Sequence, residues 1–216
     1  MNKTVAALPI LPYNLPDAEL LKPQTAPGSC VTFVPARVFV VIGKGSQVEQ
    51  ELNIPHVLAD NVPVLRRPSG GCAVVLTPNM LAVSFARYET HQQKSSEYFA
   101  RFNAVLIRTL KRSGVLDAEH VGTSDIARQG RKLVGTAIYR NRDVVFFQAI
   151  INVTESGDLI ERYLTLPPRM PDYRAQRTHR DFVTSLVAED FAGTTDDLMK
   201  VVREEFATDL KQAPIA

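Results

Sequence analysis

Cysteine is scarce in this chain. Its 216 residues include two, Cys30 and Cys72, too few for a disulfide scaffold, and no C-x-x-C pair suggests zinc. The four histidines, His56, His91, His120 and His179, are scattered. They show no His-x-x-x-His or His-x-x-Glu-His spacing, so a metal site built on them is not expected. An excess of either charge is also lacking. Lys plus Arg total 25 and Asp plus Glu 23, a formal net charge of +2, and no basic block stands out. That argues against a protein that tracks nucleic-acid phosphates, though a local pair such as Arg66-Arg67 suffices for one small anion. No apolar run reaches membrane-spanning length. The opening MNKTVAALPILPYNLP holds a single lysine and a short apolar stretch broken at Pro9 and Pro12, unlike a signal peptide. The default expectation is a cytoplasmic protein with no membrane and no nucleic-acid partner. Internal repeats and low-complexity segments are missing too.

What is there suits one domain with a sizeable core: 45% hydrophobic and 22% charged residues, ordinary for a globular protein. Residues 1–30 are proline-rich and read as a segment wrapping the surface, with Asp17–Leu21 as a short helix. Residues 31–216 read as the single main domain. Val31–Gly43 reads as one or two valine-rich strands interrupted at Pro35. Ser46 and Glu49 stand in capping-box spacing and predict a helix start. Val62–Arg67, Cys72–Leu76 and Met80–Ala86 are strand candidates between turn residues. The clearest helix follows, capped by Ser95 or Ser96, with Phe99, Phe102, Leu106 and Leu110 at helical spacing and Gly114 as its stop. Asp125–Val153 reads as strand, turn at Gln129-Gly130, strand, turn at Asn141-Arg142, and a long apolar strand. Ser156–Leu164 is a helix, PPRMPDYRAQRTHRD a polar loop, and Thr194–Phe206 a last amphipathic helix with Asp196 and Asp197 in its first turn. Strand runs flanked by helices predict an α+β fold (α/β in the broad sense) around a mixed, largely antiparallel sheet.

Two stretches could carry chemistry. In RRPSGGCAVV, Arg66–Val75, Gly70 and Gly71 let a ligand approach the backbone, and Ser69 adds a hydroxyl. Arg66 and Arg67 alternate in direction on a strand, so one can face a cleft. A guanidinium beside exposed N–H groups binds phosphate or carboxylate. The same residues read equally well as a glycine hairpin with a solvated arginine pair. In Asp125–Ala137, DIARQGRKLVGTA, Lys132 follows the turn glycine, and Gly135-Thr136-Ala137 presents small residues. Lys132 could aim a point charge at a developing negative charge; on spacing alone it is a hairpin-tip lysine in water. GKGS at Gly43–Ser46 lacks P-loop spacing and reads as a turn ending at a helix cap. Cys72 reads as a small core residue, and His179 as a loop histidine.

Taken together, these stretches resemble the lipoate–protein ligase family, within the wider biotin/lipoate protein ligases. The resemblance runs from about Val31 to Leu186. RRPSGGCAVV is similar to the family's R-R-x-S-G-G-G-A-V. SDIARQGRKLVGTA is similar to N-D-[IL]-x-x-x-G-[KR]-K-[IV]-S-G-[NS]-A, and VFVVIGKGSQVEQELN to the strand and helix that precede them. The resemblance implies a sheet like that of class II aminoacyl-tRNA synthetases and biotin protein ligases. It implies ATP-dependent activation of lipoate to lipoyl-AMP and transfer to a lysine of a lipoyl carrier, GcvH-like or E2-like. By the same resemblance Lys132 is the catalytic lysine. Arg66, Arg67, Ser69, Gly70, Gly71, Cys72 and Ala73 bind substrate or nucleotide, as do Asp125, Gly135, Thr136 and Ala137. Mg2+ would accompany ATP near Asp125, and Gly135 and Ala137 would leave room for ligand. The chain departs from the family at Cys72, in place of a third glycine, and at Leu76-Thr77, where the family has H-D. It departs again at Asn79-Met80 and in the single helix left after Leu186, where longer ligases carry a small C-terminal domain; a separate accessory subunit is one way to supply it. The rival readings are an ATP-independent octanoyl or lipoyl transferase of the same fold and a non-catalytic acyl- or carrier-binding relative. The cysteine of the transferases is missing both from Asp117–Asp125 and from the loop before His179.

Overall fold

The structure is a computed structural model that describes residues 8–22, 24–88 and 93–211. Ten strands and six helices fall in the order β1 Ile10–Pro12, β2 Gly28–Phe33, β3 Phe39–Ile42, α1 Val48–Glu51, α2 Ile54–Ala59, β4 Val64–Arg66, β5 Val74–Leu76, β6 Met80–Arg87, α3 Ser95–Arg112, β7 Glu119–Val121, β8 Asp125–Arg128, β9 Arg131–Arg140, β10 Val145–Asn152, α4 Asp158–Tyr163, α5 His179–Phe182 and α6 Thr195–Leu210. Among the described residues no helix is long and apolar enough to cross a membrane.

The strands form two sheets. The six-stranded sheet, order β2-β6-β10-β9-β8-β7, is antiparallel throughout. The four-stranded sheet, order β1-β4-β3-β5, pairs β1 and β3 parallel to β4 and β5 antiparallel to β3. The period of two along β10 explains how they stack. Val145, Phe147, Ala149 and Ile151 face α3 and α6 and belong to the main core. There Phe85, Phe102 and Phe206 meet with ring centroids 4.7–6.4 Å apart. On the other face, Ile150 packs between the sheets with Val41, Leu65 and Leu76. Val40, Ile42 and Val64 point outward from the small sheet, and Leu52, Val57 and Tyr163 of the α1, α2 and α4 region cover them. A helix layer, two sheets and a second helix layer result, with space between the sheets.

Three local expectations need correction. Ser46 and Glu49 do not form a capping box: the helix begins after Gln47 with no side-chain cap. Instead Ser46 Oγ accepts from Gly43 N and donates to Glu51 Oε2. Lys94, not Ser95 or Ser96, holds the N-cap position of α3 and gives no side-chain cap. The polar loop contains α5, and Thr178 caps it by accepting from Asp181 N. Elsewhere the signals are realised locally. Gly114 ends α3 at φ +90°, and Thr194 with Asp197 closes a full capping box on α6. Asp17–Leu21 forms a 3-10 turn, with Asp17 itself buried.

Candidate active site

A cavity of about 620 Å³ opens between the sheets, under the segment from Pro167 to Val183. Such a volume suits a small-molecule ligand. Its apolar walls include Val75, Leu76, Ile150, Ile160 and Leu164, and its polar groups include Arg67, Asp125, Lys132 and Gln148.

The β8–β9 hairpin builds one wall. Gln129 and Gly130 turn it with φ of +50° and +72°, the left-handed pair of a two-residue hairpin. The register is broken once: Asp125 pairs with Gly135 and Ile126 with Val134, but Ala127 pairs with Lys132. Leu133 is the extra residue, a β-bulge, and both Leu133 and Val134 turn into the core. In a regular strand, residues three apart point to opposite faces. The bulge therefore puts Lys132 and Gly135 on one face, with Asp125 beside them. Lys132 Nζ lies 2.7 Å from Asp125 Oδ1, and Tyr173 Oη donates to Asp125 Oδ2 at 2.8 Å. A Cβ on Gly135 would stand 2.9 Å from Lys132 Cε and 3.0 Å from Nζ. The space at Gly135 is taken by the lysine side chain itself.

The β4–β5 loop forms the opposite rim. Arg67, 6% exposed, turns inward. Its Nε donates to Ser69 Oγ, one Nη to the Val41 carbonyl oxygen, and the other to those of Gly70 and Cys72. Three of its five N–H groups thus hold the loop, and a fourth ties it to β3. Arg66 donates to the carbonyl oxygens of Gly43 and Lys44. Gly71 has φ +90°, and a Cβ on Gly43 would stand 2.1 Å from Gly71 O, so the two backbones touch. Glu51, which lies in the VFVVIGKGSQVEQELN stretch, accepts from Ser46 Oγ, Gln47 N and Ala73 N and ties α1 to the same loop. Cys72 is not a core residue: it is half-buried on the cavity wall, with Sγ 4.0 Å from the Arg169 carbonyl oxygen. At the departures from the motif, Leu76 is buried between the sheets, and Thr77 Oγ1 donates to the buried carboxylate of Glu155 at 2.9 Å.

The structure therefore brings Arg67, Cys72, Ala73, Gly71, Asp125, Lys132, Gly135, Thr136 and Ala137 to one cavity. Ser69 lies behind it, bonded to Arg67 and Gln148. Arg66 and Gly70 support the loop from outside the lining. Other contributors carry no spacing signal. Tyr13, Gln148 and Ser84 all donate to the carboxylate of Asp17, a buried network at the cavity floor. Burial and the Asp17 carboxylate push the Tyr13 phenol far above its usual range, so it stays protonated.

His179 is buried in α5 rather than free in a loop. Its Nε2 is 2.9 Å from the Thr165 carbonyl oxygen. A carbonyl can only accept, so Nε2 carries the proton. Burial, with Arg174 and Lys132 adding positive charge nearby, holds the imidazole below its ordinary pKa. The unfolded chain therefore takes up this proton first. The stabilisation is complete above the ordinary value of about 6.5 and is lost as pH falls through the lower folded value. Urea titrations at neutral pH and one to two units lower should show wild type losing more stability on acidification than H179Q. Equal losses would disprove the neutral buried histidine.

The family model described as the lipoyl protein ligase A/B catalytic domain matches residues 19–207. Lipoate–protein ligase 1 of Staphylococcus aureus is 28% identical over 149 residues, 69% of this chain and 44% of that protein. The chain spans less than half the length of the curated relatives it matches. Among solved structures, lipoate-protein ligase A bound with ATP superposes with a TM-score of 0.75 at 19% identity, covering 94% of this chain and 83% of that one. A bi-partite lipoate protein ligase from Thermoplasma acidophilum, described with its E2 lipoyl domain, gives 0.73 at 19% identity over 85% and 71%. These likenesses establish the fold, the mixed α+β arrangement of the lipoate ligases. The family match spans most of the chain, and the protein belongs to the lipoyl protein ligase A/B catalytic domain family.

Proposed function

We propose that this chain is an ATP-dependent lipoate–protein ligase, or the catalytic part of one. The observation that carries the reading is the Lys132–Asp125 pair, 2.7 Å apart in the cavity wall and facing the Gly70-Gly71 loop. In the first step the lipoate carboxylate attacks the α-phosphorus of ATP, and pyrophosphate leaves. In the second, a neutral lysine amine of a lipoyl carrier attacks the acyl carbon; AMP leaves and the amine gives up a proton. Both steps gather negative charge on oxygens around the reacting centre. A fixed ammonium at that place stabilises it without reorganisation. Asp125 orients the ammonium, and the apolar wall at Val75, Leu76 and Ile150 suits the hydrocarbon chain and dithiolane. Gly71 and Ala73 line the rim, with the Ala73 N–H already held by Glu51. A relative crystallised with ATP and relatives crystallised with lipoate support the same assignment of substrates. Magnesium enters with ATP, and Asp125 and Glu51 are acidic side chains of the cavity lining. The carrier is a lipoyl domain of the E2 or GcvH type, and a separate accessory subunit completes adenylation if this chain alone does not.

One observation favours a second reading. Cys72 faces the cavity, where a transferase would form its acyl thioester. Incubation with ATP, magnesium and lipoate without carrier, followed by mass spectrometry, separates the two. Lipoyl-AMP is the expected product. A thioester on Cys72 formed from an acyl carrier, with no adenylate, would replace the ligase by the transferase. With neither product, supplied lipoyl-AMP and apo-carrier test the second step alone, and failure there leaves a binding protein.

A further inference from the structure

Among the described residues, one buried guanidinium of this cavity has neither a carboxylate in ion-pair reach nor a hydrogen bond at every nitrogen. Arg174 is 3% exposed and lines the cavity from the segment that covers it. Its Nε donates to the Arg177 carbonyl oxygen, and its guanidinium stacks 4.7 Å from the Phe182 ring centroid. Its Nη2, closed off from solvent, has no hydrogen-bond partner. Lys132 has Asp125, and Arg67 has its loop carbonyls; among the described residues no carboxylate forms an ion pair with Arg174. A guanidinium without an ion-pair partner is costly to bury, and the part of Arg174 that lines the cavity is open to an anion from outside the chain.

The placement of this side chain is over-determined. Ala175 and Gln176 follow with φ of +49° and +59°, two successive non-glycine residues in the left-handed region. Such strain persists only where the surroundings enforce it. Arg177 enforces it by donating to the carbonyl oxygens of Arg174, Tyr173 and Gly130. Tyr173 ties the same turn to Asp125. The turn therefore holds Arg174 at a set distance from the Lys132–Asp125 pair. Burial and the neighbouring Arg177 push the guanidinium pKa below its ordinary value and outweigh the opposing pull of Tyr173 and Asp125.

We propose that Arg174 binds the phosphoryl oxygens of an adenylate-class ligand in this cavity. The inference rests on the ligase reading for the choice of ligand. A carboxylate loses its charge once it enters the mixed anhydride. The phosphoryl charge is present in ATP, in the acyl adenylate and in AMP, so only it answers a buried cation throughout the cycle.

The test is calorimetric titration of the full chain with AMP, adenosine and lipoate. Wild type should bind AMP more tightly than adenosine. R174Q should erase that gap, on the order of tenfold for a lost charge-assisted bond, and R174K should keep part of it. Adenosine affinity should not change, which controls for folding. The thermal midpoint of R174Q without ligand should hold or rise, because an uncompensated buried charge has gone; a structural arginine would lower it. If the gap persists in R174Q, or wild type shows none, the inference is wrong. Lipoate affinity falling while the AMP gap stays would move Arg174 to the carboxylate and overturn the phosphoryl assignment. A chain that forms no adenylate but shows the Arg174-dependent gap fails the ligase reading and keeps this one.

Discussion

Lys132→Ala is expected to lower lipoyl-AMP formation by roughly two to three orders of magnitude, the usual cost of losing one preorganised charge-stabilising donor. The fold should hardly notice. The backbone at 132 keeps its own bond, with Thr184 N donating to the Lys132 carbonyl oxygen at 2.9 Å. Asp125 keeps the Tyr173 hydroxyl. The lost ion pair is partly exposed on the lysine side and contributes about 1 kcal/mol or less, a shift of roughly 2–4 °C in a chain this long. Mass spectrometry of the adenylate beside a circular-dichroism melt reads both quantities. Undiminished adenylation would remove Lys132 from the mechanism. Gly135→Ala is the companion experiment. Its Cβ would meet Lys132 Cε at 2.9 Å, and the flexible lysine tip can yield, but only by leaving Asp125. Activity should fall on the order of tenfold to a hundredfold through misplacement alone, with little change in melting. A G135A chain of full activity would show that the lysine works from another position.

Gly43→Ala should be the most damaging single methyl group in the site. The added Cβ stands 2.1 Å from Gly71 O and 3.2 Å from the carbonyl carbons of Gly70 and Gly71, all backbone atoms with no flexible end to move. Neither side yields cheaply. Gly43 is held by Arg66 and by Ser46 Oγ, and the Gly70-Gly71 turn by Arg67. Overpacking of this kind costs about 1–3 kcal/mol, so the thermal midpoint should drop by several degrees, and adenylation should drop with it as the rim opens. Gly45→Ala, two residues away, meets nothing within 4 Å and should be silent in both assays. Equal behaviour of the two variants would refute the close approach.

Two kinds of knowledge about this chain have different sources. Local signals in the sequence define the elements and the neighbourhoods of chemistry. Apolar runs between turn residues mark β6 and β10, helical spacing of Phe102, Leu106 and Leu110 marks α3, and Gln129-Gly130 marks the hairpin, because those signals act over a few residues. The motif resemblance put Lys132, Asp125 and the Arg66–Ala73 loop in one site. Two local expectations lost to competition: Ser46 turned to Gly43 N and the Glu51 side chain instead of capping the backbone of α1, and Cys72 turned to the cavity instead of the core. Only the tertiary structure decided which face Lys132 takes, since that follows from a bulge at Leu133 set by the pairing of β8 with β9. It also decided that Arg67 clamps its own loop, that Gly135 clears the path of Lys132, and that Arg174, from a loop with no periodicity, closes the cavity with an unanswered charge. The reason is distance along the chain. Asp17, Arg67, Lys132 and Arg174 meet only after two sheets have stacked, and no local pattern encodes an encounter between residues that far apart.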